Sequence, residues 1–426
     1  MVRVPKNAFG RTLLLSLLVA IPSTATSRPK ARDSHQKEAQ SQDKEEKEED
    51  KDKKRFIYWD EGLHIIGLKH LSAMKIGGSV QNDSAGFANS KDVDTTLGSL
   101  DGDVEWRRAR LYASGTVLRH FEYKFQYDFA VSNPPQLKDA FLDFVGLPIP
   151  IKVRGGRFKN PLGLELATSS NDLTFLERGL VSAFLPSRNT GFHFHGNLPR
   201  KRLRWSLGIL RQEDDFGVGS TDRFGVSGRF AWAFHPWSEH RLLHFGVDYL
   251  RRPVTDTVRF LERPESHIAP QFVDTGDMPA ETVHTGIFES VFIQGPLSIQ
   301  GEAAFTGVSS SEMSNPSFYA FYVYASYILS GETRRYVPGE GTLKRVQPKR
   351  EFRDSAGGLG AFEIAFRFSR IDLDDKDVTG GRLNDFTAAF NWYATRNYRV
   401  LTNVIRAHRS DTARVWIFQI RLQVAI

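Results

Sequence analysis

Ten basic side chains stand where a fixed positive charge could act on a mobile anion. In Trp106-Arg107-Arg108-Ala109-Arg110-Leu111, a period of two puts Ala109, Leu111, Ala113 and Val117 on one phase. Arg108 and Arg110 then fall on the other, with Ser114 and Thr116, and Arg107 falls on the apolar phase near its edge. In Ile149-Pro150-Ile151-Lys152-Val153-Arg154 the same rule leaves Lys152 and Arg154 together. Lys124 shares a polar phase with Glu122 and Asp128, and Arg229 and Arg367 stand on the polar phases of their own segments, as does Arg421 in addition to the ten. Arg399 is ambiguous, because Val400 and Val404 set one phase while Leu401 and Ile405 oppose it. Lys159, Arg178 and Arg188 flank or occupy the long connector that follows. A guanidinium offers a planar fork of donors that matches two oxygens of a phosphate, and an ammonium offers a point charge. Spread over several weak sites, such groups attract an anion without trapping it. The competing reading of each is an ordinary cross-strand ion pair. Asp139, Asp143, Glu302 and Glu363 share the polar phase and would neutralise part of it.

Other chemistry is thin. His193-Phe194-His195 puts two imidazoles on one strand face, but no further ligands stand at suitable spacing, so ordinary lining histidines are the better reading. Asp372, Asp374, Asp375 and Asp377 lack the spaced glycine and closing glutamate of a calcium loop. There is no cysteine, which excludes disulfides and thiolate metal sites. No nucleotide loop or nucleophile elbow follows a suitable strand, so neither an enzyme nor a bound cofactor is expected. The basic residues interleave with aromatics only because strands alternate, which gives nucleic-acid binding no separate support.

The elements that must position these charges are strands. Phe121-Glu122-Tyr123-Lys124-Phe125-Gln126-Tyr127-Asp128-Phe129 separates five aromatics from four polar residues, a split that only a period of two produces. Phe362, Ile364, Phe366 and Phe368 repeat it, as do Phe224, Val226, Phe230 and Trp232 against Ser227, Arg229 and Ala231. The chain ends on Trp416, Phe418, Ile420, Leu422, Val424 and Ile426 against Gln419, Arg421 and Gln423. Segments of about ten residues match a tilted membrane strand, and the aromatic outer phase suits bilayer interfaces. A soluble sandwich would need a dry core where these segments carry charge.

About sixteen such segments fit between Ala73 and Ile426, which predicts an all-β fold: one transmembrane antiparallel β-barrel with long external loops and short periplasmic turns. Sixteen strands leave an aqueous channel. Tight turns are expected at Asn133-Pro134-Pro135, Gly146-Leu147-Pro148, Leu198-Pro199-Arg200, Gly295-Pro296 and Thr395-Arg396-Asn397. Long connectors are expected at Asn82 to Asp103, Asn160 to Arg188, Arg252 to Glu281 and Glu332 to Arg353. The second of these is long enough to fold inward as a constriction, with Lys159, Arg178 and Arg188 narrowing and charging the pore.

Arg3, Lys6 and Arg11 precede the apolar run Thr12 to Ile21 and the small residues Ser23 to Ser27, the form of a secretory signal peptide over residues 1–25. Residues 26–55 read as a charged, disordered tether, since Arg28 to Arg55 carries ten Lys or Arg, nine Asp or Glu and almost nothing to pack. The barrel occupies 56–426. Of the formal +7 of the 426 residues, only +3 belongs to Phe56 to Ile426, so any anion preference must come from where charges sit.

Several stretches, in order and spacing, resemble the phosphate-selective porin O and P family. They are Trp106 to Gly115, Lys138 to Leu142, Gly156-Arg157-Phe158-Lys159-Asn160-Pro161-Leu162-Gly163 and Phe175-Leu176-Glu177-Arg178, then Ala325 to Glu332, Gly360 to Arg367, Asn391-Trp392-Tyr393 and Arg421 to Val424. The resemblance covers most of Met74 to Ile426. It implies a sixteen-stranded barrel in the outer membrane of a Gram-negative-type bacterium, usually a homotrimer, conducting anions such as phosphate or polyphosphate. One departure is the final Ile426, where such proteins commonly end in an aromatic residue. The expected function is thus an anion-preferring aqueous channel. A general or sugar-conducting porin is the near alternative, and a structural envelope-tethering barrel using Arg28 to Arg55 is the more distant one.

Overall fold

The computed structural model describes residues 57–67, 72–89, 100–130, 135–198, 202–211, 223–234, 240–410 and 414–426. The expected signal peptide and tether lie outside the described residues, as do Asn133, Pro134, Pro199 and Arg200 of the expected turns. A short hairpin, β1 (Ile57–Trp59) and β2 (Leu63–Ile66), precedes the barrel. The first nine barrel strands are β3 (Ala73–Asn89), β4 (Asp103–Val117), β5 (Phe121–Asp128), β6 (Gln136–Phe144), β7 (Ile151–Lys159), β8 (Arg188–Asn197), β9 (Leu203–Arg211), β10 (Phe224–Phe234) and β11 (Arg241–Pro253). The remaining seven are β12 (Thr282–Gln294), β13 (Leu297–Ser309), β14 (Ser317–Ile328), β15 (Ala361–Asp375), β16 (Val378–Tyr393), β17 (Tyr398–Arg409) and β18 (Arg414–Ala425). Each pairs antiparallel with the next, and β18 closes on β3 from Val415↔Asn89 to Ala425↔Ser79. Beyond that point Ile426 exchanges both backbone hydrogen bonds with Gly78, and β2 takes over the edge of β3. Closure satisfies every strand edge, the condition for crossing hydrocarbon with strands.

The period of two fixes the faces. Trp416, Phe418, Ile420, Leu422 and Val424 are exposed outside while Gln419, Arg421 and Gln423 are buried inside. The strand phases hold as expected except at Arg107, where a bulge intervenes; three other local details differ. First, β3 runs on to Asn89, so the first connector is only 90–102. A strand of alternating small and polar residues carries no obvious stop at Asn82. Second, the connector between β14 and β15, 329–360, leaves from the end of the barrel that holds the short turns and the terminal Ile426, not from the end with the other long connectors. Long and short connections are therefore not cleanly segregated. Third, the inner face of β14–β18 is apolar toward the loop end, where Phe318, Ile371, Leu383, Ile405, Ala407, Val415 and Ile417 pack on Phe175, Leu180, Phe184 and Phe260 from the connectors. That dry packing resolves the ambiguous phase of β17: Leu401 and Ile405 point inward together with Arg399.

Candidate ion pathway in the barrel lumen

Three connectors fold inward. The one after β7, 160–187, crosses the lumen and is tied down at successive points. It enters through Gly163, whose positive φ of 66° favours glycine and whose N–H donates to Asp248 on β11. The amides of Leu164 and Glu165 open the one-turn helix α1 (Leu164–Ala167) and both donate to Glu302 on β13. At the other end of that turn Lys159 donates to the Thr168 carbonyl at 2.6 Å and Arg178 at 3.1 Å, satisfying an oxygen that has no partner within the helix. Further on, Arg399 donates to the Leu173 carbonyl (2.8 Å), Asn391 to that of Thr174 (2.8 Å) and Arg421 to that of Leu176 (2.5 Å). The segment ends in Glu177, which accepts from Arg107 (2.8 Å), Arg108 (3.4 Å) and Arg421 (2.7 Å). Burial alone would raise the Glu177 carboxyl, but Arg107, Arg108 and Arg421 outweigh it and hold it well below the usual carboxylate range.

The connector after β11, 254–281, sends Glu265 down to Arg367 (Nε to Oε2, 3.0 Å) and Thr387 (2.7 Å). From the opposite end, 329–360 rises into the barrel. Arg334 meets Glu363 at 2.5 Å, the Gly341 carbonyl accepts from Arg229 at 2.8 Å, and Lys344 and the amide of Arg345 reach Asp172 at 3.4 and 3.3 Å. Connectors from the two ends thus meet at Thr168 and Asp172.

The consequence is a lopsided lumen. On β12–β18, inward residues such as Thr285, Glu363, Asp385, Asn391 and Arg421 are fully buried under the connectors. On β4–β8, several inward cations keep contact with solvent: Lys152 is 40% exposed, Lys124 33% and Arg154 22%. They form a series from the loop end to the terminal end. Arg110 binds Asp128 (2.7 Å) and Ser170 (3.1 Å). Asp139 is shared by Arg188 and Lys124, both at 2.8 Å. Arg154 holds Asp143 with two hydrogen bonds of 2.8 and 2.7 Å and lies 3.7 Å above the Phe141 ring, and Lys152 pairs with Glu122 at 2.6 Å. Cations outnumber carboxylates on this wall and the adjoining β9: Arg107, Arg108, Arg110, Lys124, Lys152, Arg154, Arg188 and Arg204 face Glu105, Glu122, Asp128, Asp139 and Asp143, with Glu177 reaching in from the connector.

Of the ten expected cations, Arg108, Arg110, Lys124, Lys152, Arg154 and Arg188 belong to this wall. Lys159 and Arg178 serve the connector. Arg229, 2% exposed, is held by Glu289 (2.7 and 2.8 Å), and Arg367 lies between Glu265 and Glu165, so these two point inward but sit beneath the connectors. Arg107 departs from its expected outer phase. The register of β4 against β3 slips between Gln81↔Arg108 and Asn82↔Trp106, and this bulge turns Arg107 inward beside Arg108 while Trp106 stays outside. Glu177 and Glu265 were not legible, because connectors have no period. Arg204 was, since Leu203, Trp205, Leu207 and Ile209 leave it on the opposite phase.

His193 and His195 stack at 4.9 Å between centroids. The Nδ1 of His195 is 2.7 Å from Arg204, and its Nε2 is 3.6 Å from Asp143. The four aspartates 372, 374, 375 and 377 take up protein donors: Gly381 N–H on Asp374 (2.7 Å), Ser317 N–H on Asp375 (2.7 Å), Tyr319 on Asp372 (3.3 Å) and the Ser314 hydroxyl on Asp377 (2.5 Å).

A family model described as Phosphate-selective porin O and P matches residues 74–426. An uncharacterized protein of Caulobacter vibrioides is 26% identical over 333 residues, covering 73% of this chain and 65% of its own. This chain therefore spans a little under two thirds of that relative. Porin O of Pseudomonas aeruginosa is 23% identical over 388 residues, covering 81% of this chain and 85% of its own. Among solved structures, an anion-selective porin from Comamonas acidovorans superposes with a TM-score of 0.54 at 11% identity, covering 83% of this chain and all of that one.

Proposed function

The chain belongs to the phosphate-selective porin O and P family, and on that premise we propose that this outer-membrane porin conducts small anions, phosphate or polyphosphate among them, along the β4–β8 wall. In such a barrel the end with the termini and most short turns faces the periplasm, so the route runs inward from Arg107 and Arg108 to Lys152. The observation that carries the reading is the excess of solvent-touched cations on one wall of a lumen whose other wall is dry. Fixed charges select most strongly where water is scarce and screening weak. Each cation keeps a carboxylate partner nearby, so an anion exchanges one weak contact for the next and can leave. The names of the Pseudomonas and Comamonas proteins favour the same assignment. No named role falls to a catalytic residue. A homotrimer is the expected assembly, as the family resemblance implies. β5–β9, with 8 to 10 residues each, give the barrel a low wall against strands of up to 17, the side on which neighbouring copies would meet.

Planar-bilayer reconstitution under a KCl gradient tests the reading. A reversal potential near the chloride limit, with current reduced by added phosphate, is expected. Weak or cationic selectivity without phosphate block would leave a general porin in its place.

A further inference from the structure

The outside of the barrel carries a pocket that ion conduction does not use. Its volume is about 420 Å³, and its lining is Arg223, Phe224, Arg251, Pro253, Glu281 and Thr282, at the external ends of β10, β11 and β12. It arises because β10 is short: its pairing with β11 begins at Val226↔Arg251, whereas β11 continues against β12 as far as Pro253↔Thr282.

The level of the pocket follows from β11. Leu243, Phe245, Val247 and Tyr249 are exposed on the lipid face, and Arg251 is the next residue on that face. It lies roughly 7 Å beyond Tyr249 along the strand. Tyr249 and His284, the register partner of Arg251, join Oη to Nδ1 at 2.7 Å and mark the end of the apolar band. Aromatic and polar-tipped rings collect at that interface, so the Arg251 guanidinium stands at headgroup level. Arg251 has no hydrogen-bond or ion-pair partner among the described residues. Arg223 is steered to the same opening by its 3.1 Å hydrogen bond to the Val254 carbonyl.

Two guanidiniums at the rim, with the exposed Phe245 and Val247 of the lipid face below them toward the bilayer, suit a ligand that is anionic at one end and apolar at the other. Glu281 adds an acceptor and Thr282 a hydroxyl, which suit sugar hydroxyls better than a second phosphate. We propose that this pocket binds the phosphate monoester of a phosphorylated glycolipid in the outer leaflet. Arg251 and Arg223 clasp the phosphate, Glu281 accepts from a sugar hydroxyl, Phe224 and Pro253 wall the headgroup, and the acyl chains run down over Val247 and Phe245. Inorganic phosphate offers the same oxygens, but the opening toward lipid and its continuity with the apolar band favour the lipid as their source.

Native mass spectrometry of the full chain in detergent tests this, with a bisphosphorylated glucosamine-disaccharide lipid as probe. One tightly held lipid per chain is expected. The Arg223→Gln/Arg251→Gln pair should weaken it by at least about tenfold, the loss of charge-assisted hydrogen bonds. The dephosphorylated lipid should bind as poorly, and millimolar inorganic phosphate should leave the adduct in place. Equal binding by the paired variant overturns the site, and displacement by inorganic phosphate overturns the lipid assignment. Arg251→Lys, which keeps the charge but loses the fork, guards against misfolding of the pair: a several-fold loss is expected, and full affinity overturns the clasp. Single-channel conductance should be unchanged in both variants, because the pocket lies on the outside of the barrel, so this site and the anion pathway succeed or fail separately.

Discussion

Replacing Arg154 by alanine should turn a neutral station of the pathway into an acidic one. Asp143 then keeps its charge and loses the guanidinium that holds both its oxygens at 2.8 and 2.7 Å. The net change is one negative charge beside a route 22% open to solvent at that side chain. For an ion passing at about 6 Å, one charge is worth ~0.7 kcal/mol in bulk water and ~3 kcal/mol at an effective dielectric of about 20. Screening at physiological ionic strength removes roughly half. The working range is therefore about 0.3 to 1.5 kcal/mol per ion. Anions and cations shift in opposite directions, so their permeability ratio changes by twice that energy, from about threefold to about a hundredfold toward cations. Reversal potentials across a KCl gradient measure the ratio. The control is Arg229→Ala, which removes an equal charge from beneath the connectors. An unchanged ratio in Arg154→Ala, or an equal shift in Arg229→Ala from channels of normal conductance, would refute the assignment of the conducting wall.

Three further outcomes follow from the anchoring of the connectors. Arg229→Ala leaves the buried Glu289 and Asp248 without their guanidinium, with only His244 and the Gly163 N–H still in contact, and should destabilise the barrel by about 3–5 kcal/mol, read as a lower unfolding temperature in heat-modifiability gels. Glu177→Gln frees the end of connector 160–187 from Arg107, Arg108 and Arg421 and adds net positive charge; single-channel records should show more current noise together with a higher anion preference. Burial pushes the Glu262 carboxyl up to about 7, so connector 254–281 is best docked below the ordinary value near 4.5 and loses up to about 3 kcal/mol as pH rises to 7. Glu262→Gln should remove that slope and quiet gating at pH 8 while changing nothing at pH 4.

Strand identity and facing were legible from residue order because a closed barrel in lipid obeys one simple rule along every strand: apolar outward, anything tolerated inward. Lys124, Lys152 and Arg154 needed nothing more. The rule fails where the backbone gains a residue. At the β3–β4 bulge Arg107 and Arg108 share a face that no period of two allows, and a run of Arg, Ala and Trp gives no warning of it. It fails also where the inside is dry, as at Leu401 and Ile405, whose apolar side chains compete with Val400 and Val404 for the lipid phase and leave Arg399 ambiguous.

The connectors pose a harder case, since they have no period, yet their inward course follows from the strands' own charges. A buried ion without a partner costs several kcal/mol, so every inward charge out of reach of water must be met. On β15–β18 the inward cations Arg367, Arg399 and Arg421 have only Asp83 among strand carboxylates as a direct ion-pair partner. The rest of the demand is met from outside the strands, by Glu265 for Arg367, the Leu173 carbonyl for Arg399 and Glu177 for Arg421, and in the reverse sense by Arg334 for Glu363. Those connectors therefore enter on that side. The β4–β8 wall makes a smaller demand: Arg107 and Arg108 take Glu177 from a connector, but Lys124, Lys152 and Arg154 find Asp139, Glu122 and Asp143 on the strands themselves, and water reaches all three cations. The wall that pairs most of its own charges is thus the wall left wet, and on the proposed reading its surplus cations are what an entering anion meets.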